Sequence, residues 1–157
     1  MAKSKYEKNL VKVPLLELGP PPGVIVGGRQ DPTMTYMSNK LVPGSNTYIE
    51  FSWIWGMPAT NPYILEHVHK DYDEIVIHIG SDPDDPQDLG AEIEFVVDGE
   101  KLIVDKTSAL FIPKGVKHGP LTWRRVDRPH LEMAIVLGTG DLRKAGVGGG
   151  TGIINTD

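Results

Sequence analysis

The chain has 157 residues, no cysteine and a formal charge of −5. That length suits one domain, and the absence of cysteine rules out disulfides and thiolate metal sites, so any bound metal must use imidazole and carboxylate, in what is expected to be a reducing, cytoplasmic setting. The acidic balance speaks against nucleic acid as partner, because that affinity comes from clustered Lys and Arg, and the one basic run here, Arg124 to Arg128, is short and broken by Asp127.

In chain order, the opening "MAKSKYEKNLVKVPLL" has no apolar stretch long enough for a signal peptide, and no later segment approaches a membrane span. The Pro-rich "VPLLELGPPPG" reads as an extended arm that lies on a neighbouring subunit, so residues 1–44 are assigned to an arm and first edge strands. Thirteen prolines and eighteen glycines then cut the chain into short pieces rich in β-branched and aromatic residues. Strands are predicted over 46–55, 63–69, 74–80, 91–104, 108–113, 119–126 and 130–138, the fourth folded back on itself at Asp98-Gly99, a strong hairpin signal. Many short strands between turns predict an all-β domain, a sandwich or barrel, over 45–138. The acidic loop from Ser81 to Asp88 lacks the glycine of a calcium loop and reads as a solvated connection. Residues 139–157 read as a flexible Gly-rich tail, whose "GVGGGTG" has no phosphate-loop spacing.

The chemistry concentrates in "EHVHKDYDEIVIHIG", residues 66–80. On a strand, positions two apart share a face, so His67 and His69 project together and can reach one ion. A carboxylate to join them is Glu74, if "KDYD" turns the chain back, or Asp71 or Asp73, which keep the parity of His69 if the strand continues. Downstream, "FIPKGVKHGPL" sets Pro113 and Gly115 in a tight turn with His118 at the start of a new strand. Together, "HVHKDYDE" and "PKGVKH" resemble, in order, the two motifs of the cupin superfamily, HxH followed by Glu and then P-x-G-x-x-H. The resemblance covers about residues 45–138. It implies a jelly-roll barrel of two packed antiparallel sheets and a metal held by His67, His69, Glu74 and His118. Departures are Asn61 and Thr107 where the motifs usually begin with glycine, Gly80 one residue early, and Thr122 where Asn often closes the second motif. None touches a ligand.

Strand parity adds further expectations. His78 shares the face of Glu74 and is an acid–base candidate or a satisfied wall histidine. Tyr63 and Leu65 precede His67 on the same face, Tyr63 as a substrate-orienting candidate. Arg124 follows His118 at inward parity, as a candidate clamp for a substrate carboxylate. His130 and Glu132 are expected to face water, Lys114 and Lys117 to be exposed, and Phe51, Trp53 and Trp55 to form a stripe serving core or subunit packing. The functional expectation is a mononuclear metal enzyme that oxidises a small organic molecule with dioxygen, holding one Fe, with Mn, Ni, Zn or Cu as alternatives. A non-redox isomerase, lyase or decarboxylase and a non-catalytic binding module are the other two readings. The resemblance and the apolar stripe together point to a homodimer, without nucleic-acid or membrane partners.

Overall fold

The computed structural model describes residues 4–18, 25–141 and 153–154. Among the described residues, eleven strands form two sheets. They are β1 (Leu15–Leu18), β2 (Met34–Met37), β3 (Thr47–Ile54), β4 (His67–Val68), β5 (Asp73–Gly80), β6 (Asp88–Val97), β7 (Glu100–Lys106), β8 (Ser108–Ile112), β9 (Lys117–Val126), β10 (His130–Leu137) and β11 (Ile153–Ile154). The larger sheet runs β11-β1-β2-β3-β10-β5-β8 and the smaller β4-β9-β6-β7. Every pairing is antiparallel. This is the expected all-β architecture of two packed sheets. Within 4–44 the chain adds a 3-10 turn, Glu7–Asn9, and the two strands β1 and β2. The segment "GVGGGTG" lies outside the described residues, as does most of the expected tail.

Local chemistry explains the strand ends. Asp98 and Gly99 both take positive φ, 49° and 81°, as a two-residue hairpin requires, and they join β6 to β7 in continuous register from Val97↔Glu100 onward. The strand predicted over 63–69 shrinks to two residues. Upstream of it the chain is tied to β9 by one bridge, Ile64↔Leu121, and by Asn61, whose amide nitrogen donates to Trp123 O (2.6 Å) while its Oδ1 accepts from Trp123 N (3.0 Å). Leu65 is 56% exposed, so it does not share an inner face with Tyr63. The chain bends at 70–71, but β4 and β5 do not form the antiparallel pair expected: β4 pairs with β9 and β5 with β10 and β8. The bend carries the chain from one sheet to the other, so the odd parity of Glu74 relative to His69 places both in the shared interior.

Register turns the inner face of the larger sheet into rows. Tyr48, Val136 and Glu74 lie side by side across β3, β10 and β5; then Glu50, Ala134 and Val76; then Ser52, Glu132 and His78; then Ile54 and His130. Facing them, the smaller sheet contributes Ile93, Phe95, Leu121 and Trp123, all at most 3% exposed. Burying each such side chain stabilises the fold by about 1.5–3 kcal/mol. The apolar core fills the end of the sandwich around Ile54, Leu89, Ile93 and Trp123, and the polar rows sit at the other end.

Candidate metal centre

His67, His69, Glu74 and His118 meet between the sheets, with one ligand atom from each lying within 4.8 Å of all the others. Local sequence brings them there. His67 on β4 pairs directly with His118 on β9. The "PKG" turn folds under β4: Val116 N donates to Pro113 O (3.2 Å) and Gly115 N to His69 O (2.8 Å), with Gly115 at φ 81°. Asp73 locks the same turn by accepting from Lys114 N at 2.8 Å, which occupies it structurally; Asp71 is exposed. Among the three carboxylates open from sequence, Glu74 is the one in the cluster.

The tautomers suit a cation. A carbonyl only accepts, so Nδ1 of His67, 2.9 Å from Leu65 O, and Nδ1 of His118, 3.0 Å from Val116 O, each carry a proton and leave Nε2 with its lone pair. Oε2 of Glu74 lies 2.9 Å from Nε2 of His118 and 3.4 Å from Nε2 of His69. Adjacent donors on an ion with bonds of about 2.1 Å stand about 3 Å apart, so this spacing fits a transition-metal sphere. Glu74 Oε2 and His118 Nε2 are buried with no hydrogen-bond partner, which is the arrangement a shared cation satisfies. Burial pushes the Glu74 carboxyl up, but the imidazoles of His118 and His69 outweigh it and hold it near 2. Burial pulls His67 down; it also pulls on His118, where Glu74 and the Val116 carbonyl win and raise it. Glu74 is thus ionised and His67 neutral at physiological pH, as metal ligation needs.

The four groups open onto an interior cavity of about 70 Å³ that also takes in Arg29, Ser52, Tyr63 and Glu132. It lies over Val76 and Ala134, whose small side chains leave a gap in the second row. Tyr63, an expected site residue, lines this cavity and is buried. His78 is buried in the third row, 6.3 Å between ring centroids from His130, and is not among the residues lining the cavity.

Two expectations from parity do not hold. Arg124 lies on the outer face, 48% exposed and paired with Glu94 and Glu92. The reason is a bulge: His118 and Leu121 on β9 oppose Val97 and Phe95 on β6, three residues against two, so inward parity moves from His118 to Leu121 and Trp123. His130 and Glu132 face the interior, at 0% and 7% exposure, because β10 lies between β3 and β5 and its polar positions fall on the inward-facing rows that hold Ile54, Ser52 and His78. Sequence reasoning also missed Arg29. Its one local signal is the glycine pair before it: Gly28 has φ 71°, and a Cβ there would meet Gly56 O at 2.5 Å, marking a close crossing of backbones.

No family model matches the chain, and no curated protein matches it. Solved structures do. It is similar to KdgF from Halomonas sp. (13% identity, TM-score 0.48, covering 73% of this chain and 82% of that one). It is similar to a sugar phosphate isomerase of the cupin superfamily from Silicibacter pomeroyi (15%, 0.46, 73% and 62%), and so spans less than two thirds of that protein. An RmlC-like cupin from Shewanella frigidimarina is matched over 88% of this chain and 93% of its own length, at 12% identity and TM-score 0.45. Cupin-superfamily proteins recur among these neighbours. With its two packed antiparallel sheets, and with "HVHKDYDE" and "PKGVKH" converging on one interior cluster, this chain resembles the cupin superfamily.

Proposed function

We propose that this chain is a mononuclear metal enzyme that oxidises a small organic molecule with dioxygen, with iron as its ion. The observation that carries the proposal is the largely buried set of three imidazoles and one carboxylate beside a small cavity. His67, His69, Glu74 and His118 would hold the ion, which would supply the activation of dioxygen toward the substrate. The protein's own contribution is positional. The Leu65 and Val116 carbonyls fix the rings of His67 and His118, Tyr63 and Arg29 shape the far wall, and Phe95, Leu121 and Val136 exclude water.

A non-redox isomerase, lyase or decarboxylase is the second reading, favoured by Glu50 and Glu132, carboxylates in the same cavity suited to moving a proton. The experiment pairs elemental analysis with oxygen uptake. Protein purified without added metal is expected to hold close to one transition ion per chain, and His69→Ala about a tenth of that. Unchanged occupancy in the variant removes these ligands. Oxygen consumption with a panel of small acids, phenols and diketones supports oxidation; turnover of the same panel under anaerobic conditions replaces it with the second reading. Equal ligand binding with and without metal, and no turnover, reduces the protein to a binding module. We propose also a cytoplasmic location and a homodimer, the latter through the outer face of the larger sheet.

A further inference from the structure

Arg29 sits inside the same cavity, 6% exposed, and its hydrogen bonds there are to neutral groups. Its Nη2 donates to Ser52 Oγ (2.7 Å) and to Thr33 Oγ1 (3.1 Å), and its guanidinium carbon lies 3.9 Å from the centre of the Tyr63 ring. Nε and Nη1 have no hydrogen-bond partner. The buried Glu132 carboxylate pairs with the guanidinium in charge at 3.9 Å from Nη1, but that is beyond hydrogen-bond reach. A buried guanidinium with unmet donors is costly, and one fixed by hydroxyls and an aromatic face has its fork set in place for an anion from outside the protein.

We propose that Arg29 anchors the carboxylate of a small organic acid whose opposite end meets the metal ligands. The proposal rests on the metal reading above and gives its substrate class. Row spacing bounds the length. Arg29 is tied to the row of Ser52 and Glu132, while Glu74 lies in the row of Val136, four residues further along β10. At strand rise that is about 13 Å. Side chains reach into that span from both rows, so the bound molecule is shorter than the row spacing. The substrate class is an acid of more than two carbons that carries a second oxygen ligand at its far end. A narrow cavity of about 70 Å³ is consistent with a slender, unbranched molecule.

The test is calorimetric titration of the metal-loaded protein with oxalate, succinate and adipate, with butyrate and erythritol as probes of one carboxylate and of none. Succinate or adipate is expected to bind about tenfold more tightly than butyrate, and Arg29→Gln to abolish that preference with metal content unchanged. Should R29Q not fold, Ser52→Ala removes the 2.7 Å contact that fixes the guanidinium, and a several-fold loss of the same preference is expected. Oxalate binding as tightly as the longer acids, erythritol binding in preference to them, or a preference indifferent to both variants overturns the proposal. Metal content is read in the same samples: a protein that takes up no metal overturns both proposals, whereas a loaded protein whose acid affinity ignores Arg29 overturns this one alone.

Discussion

His78 and His130 are imidazoles buried away from the cavity, and their environment fixes their protonation. Burial, with the neighbouring His130 adding to it, holds His78 down to about 3; burial holds His130 to about 4, against a small upward pull from the Arg128 backbone. His130 Nε2 accepts from Trp123 Nε1 at 3.0 Å, which a neutral ring alone can do. In the unfolded chain both titrate near 6.5. Above that pH both states are neutral and the stability is complete. As pH falls from about 6.5 toward 4 the unfolded state binds more protons, and each histidine costs about 1.4 kcal/mol per pH unit. Urea midpoints of metal-stripped protein are expected to fall between pH 6.5 and 4.5, and His78→Gln to remove about half the slope. The difference between the two proteins isolates His78 from His118, which titrates in the opposite sense. Equal slopes would refute the assignment. That these rings lie inside was only half legible. Alternation along "HLEMAIVL" separates polar from apolar positions but not which set faces in, and here the apolar set is the outer one. Arg29 was barely legible: the glycine pair before it marks a close crossing of backbones, but a single arginine in a loop carries no periodicity.

Among the elements, β9 does most to place the site, since it carries His118 as its second residue and shifts face within the next three. Gly119 makes this possible, with φ 88° and a Cβ that would lie 2.5 Å from Leu65 O. Gly119→Ala is expected to cost about 1–2 kcal/mol in backbone strain alone, and to push the 65–66 segment away from His118, cutting metal content several-fold. Gly115→Ala is the control: its φ of 81° carries similar strain, but nothing lies within 4 Å of its Cβ, so it is expected to lower the melting temperature and leave metal content intact. Equal metal content in the two variants would remove Gly119 from the site. Strand positions were legible where turn chemistry is local, as at Asp98-Gly99. The bulge was not, and the misplacement of Arg124 follows from it, because a bulge is a relation between two strands and a single strand's pattern does not contain it.

Across the whole molecule the two sheets have different outer faces. The smaller sheet carries ion pairs there, Lys101 with Glu94 and Arg124 with Glu92 and Glu94. The larger sheet carries apolar rows, Trp53–Leu131–Ile79 and Ile49–Ile135–Ile75–Phe111, with Trp53 42% and Phe111 54% exposed. A second copy of the same face is the occupant we propose, because it presents the same apolar rows and closes by a two-fold axis. Light scattering at micromolar concentration is expected to give a dimer, and Trp53→Lys a monomer with unchanged metal content; a monomeric parent protein would end the idea. A last consequence comes from the path of the chain at 70–72, where it leaves one sheet for the other. Three of the four ligands hang on the smaller sheet side and Glu74 on the larger. An ion held there would rivet the two halves of the sandwich together, so that chelation would loosen the entire shell, and the open edges would come apart together with the centre.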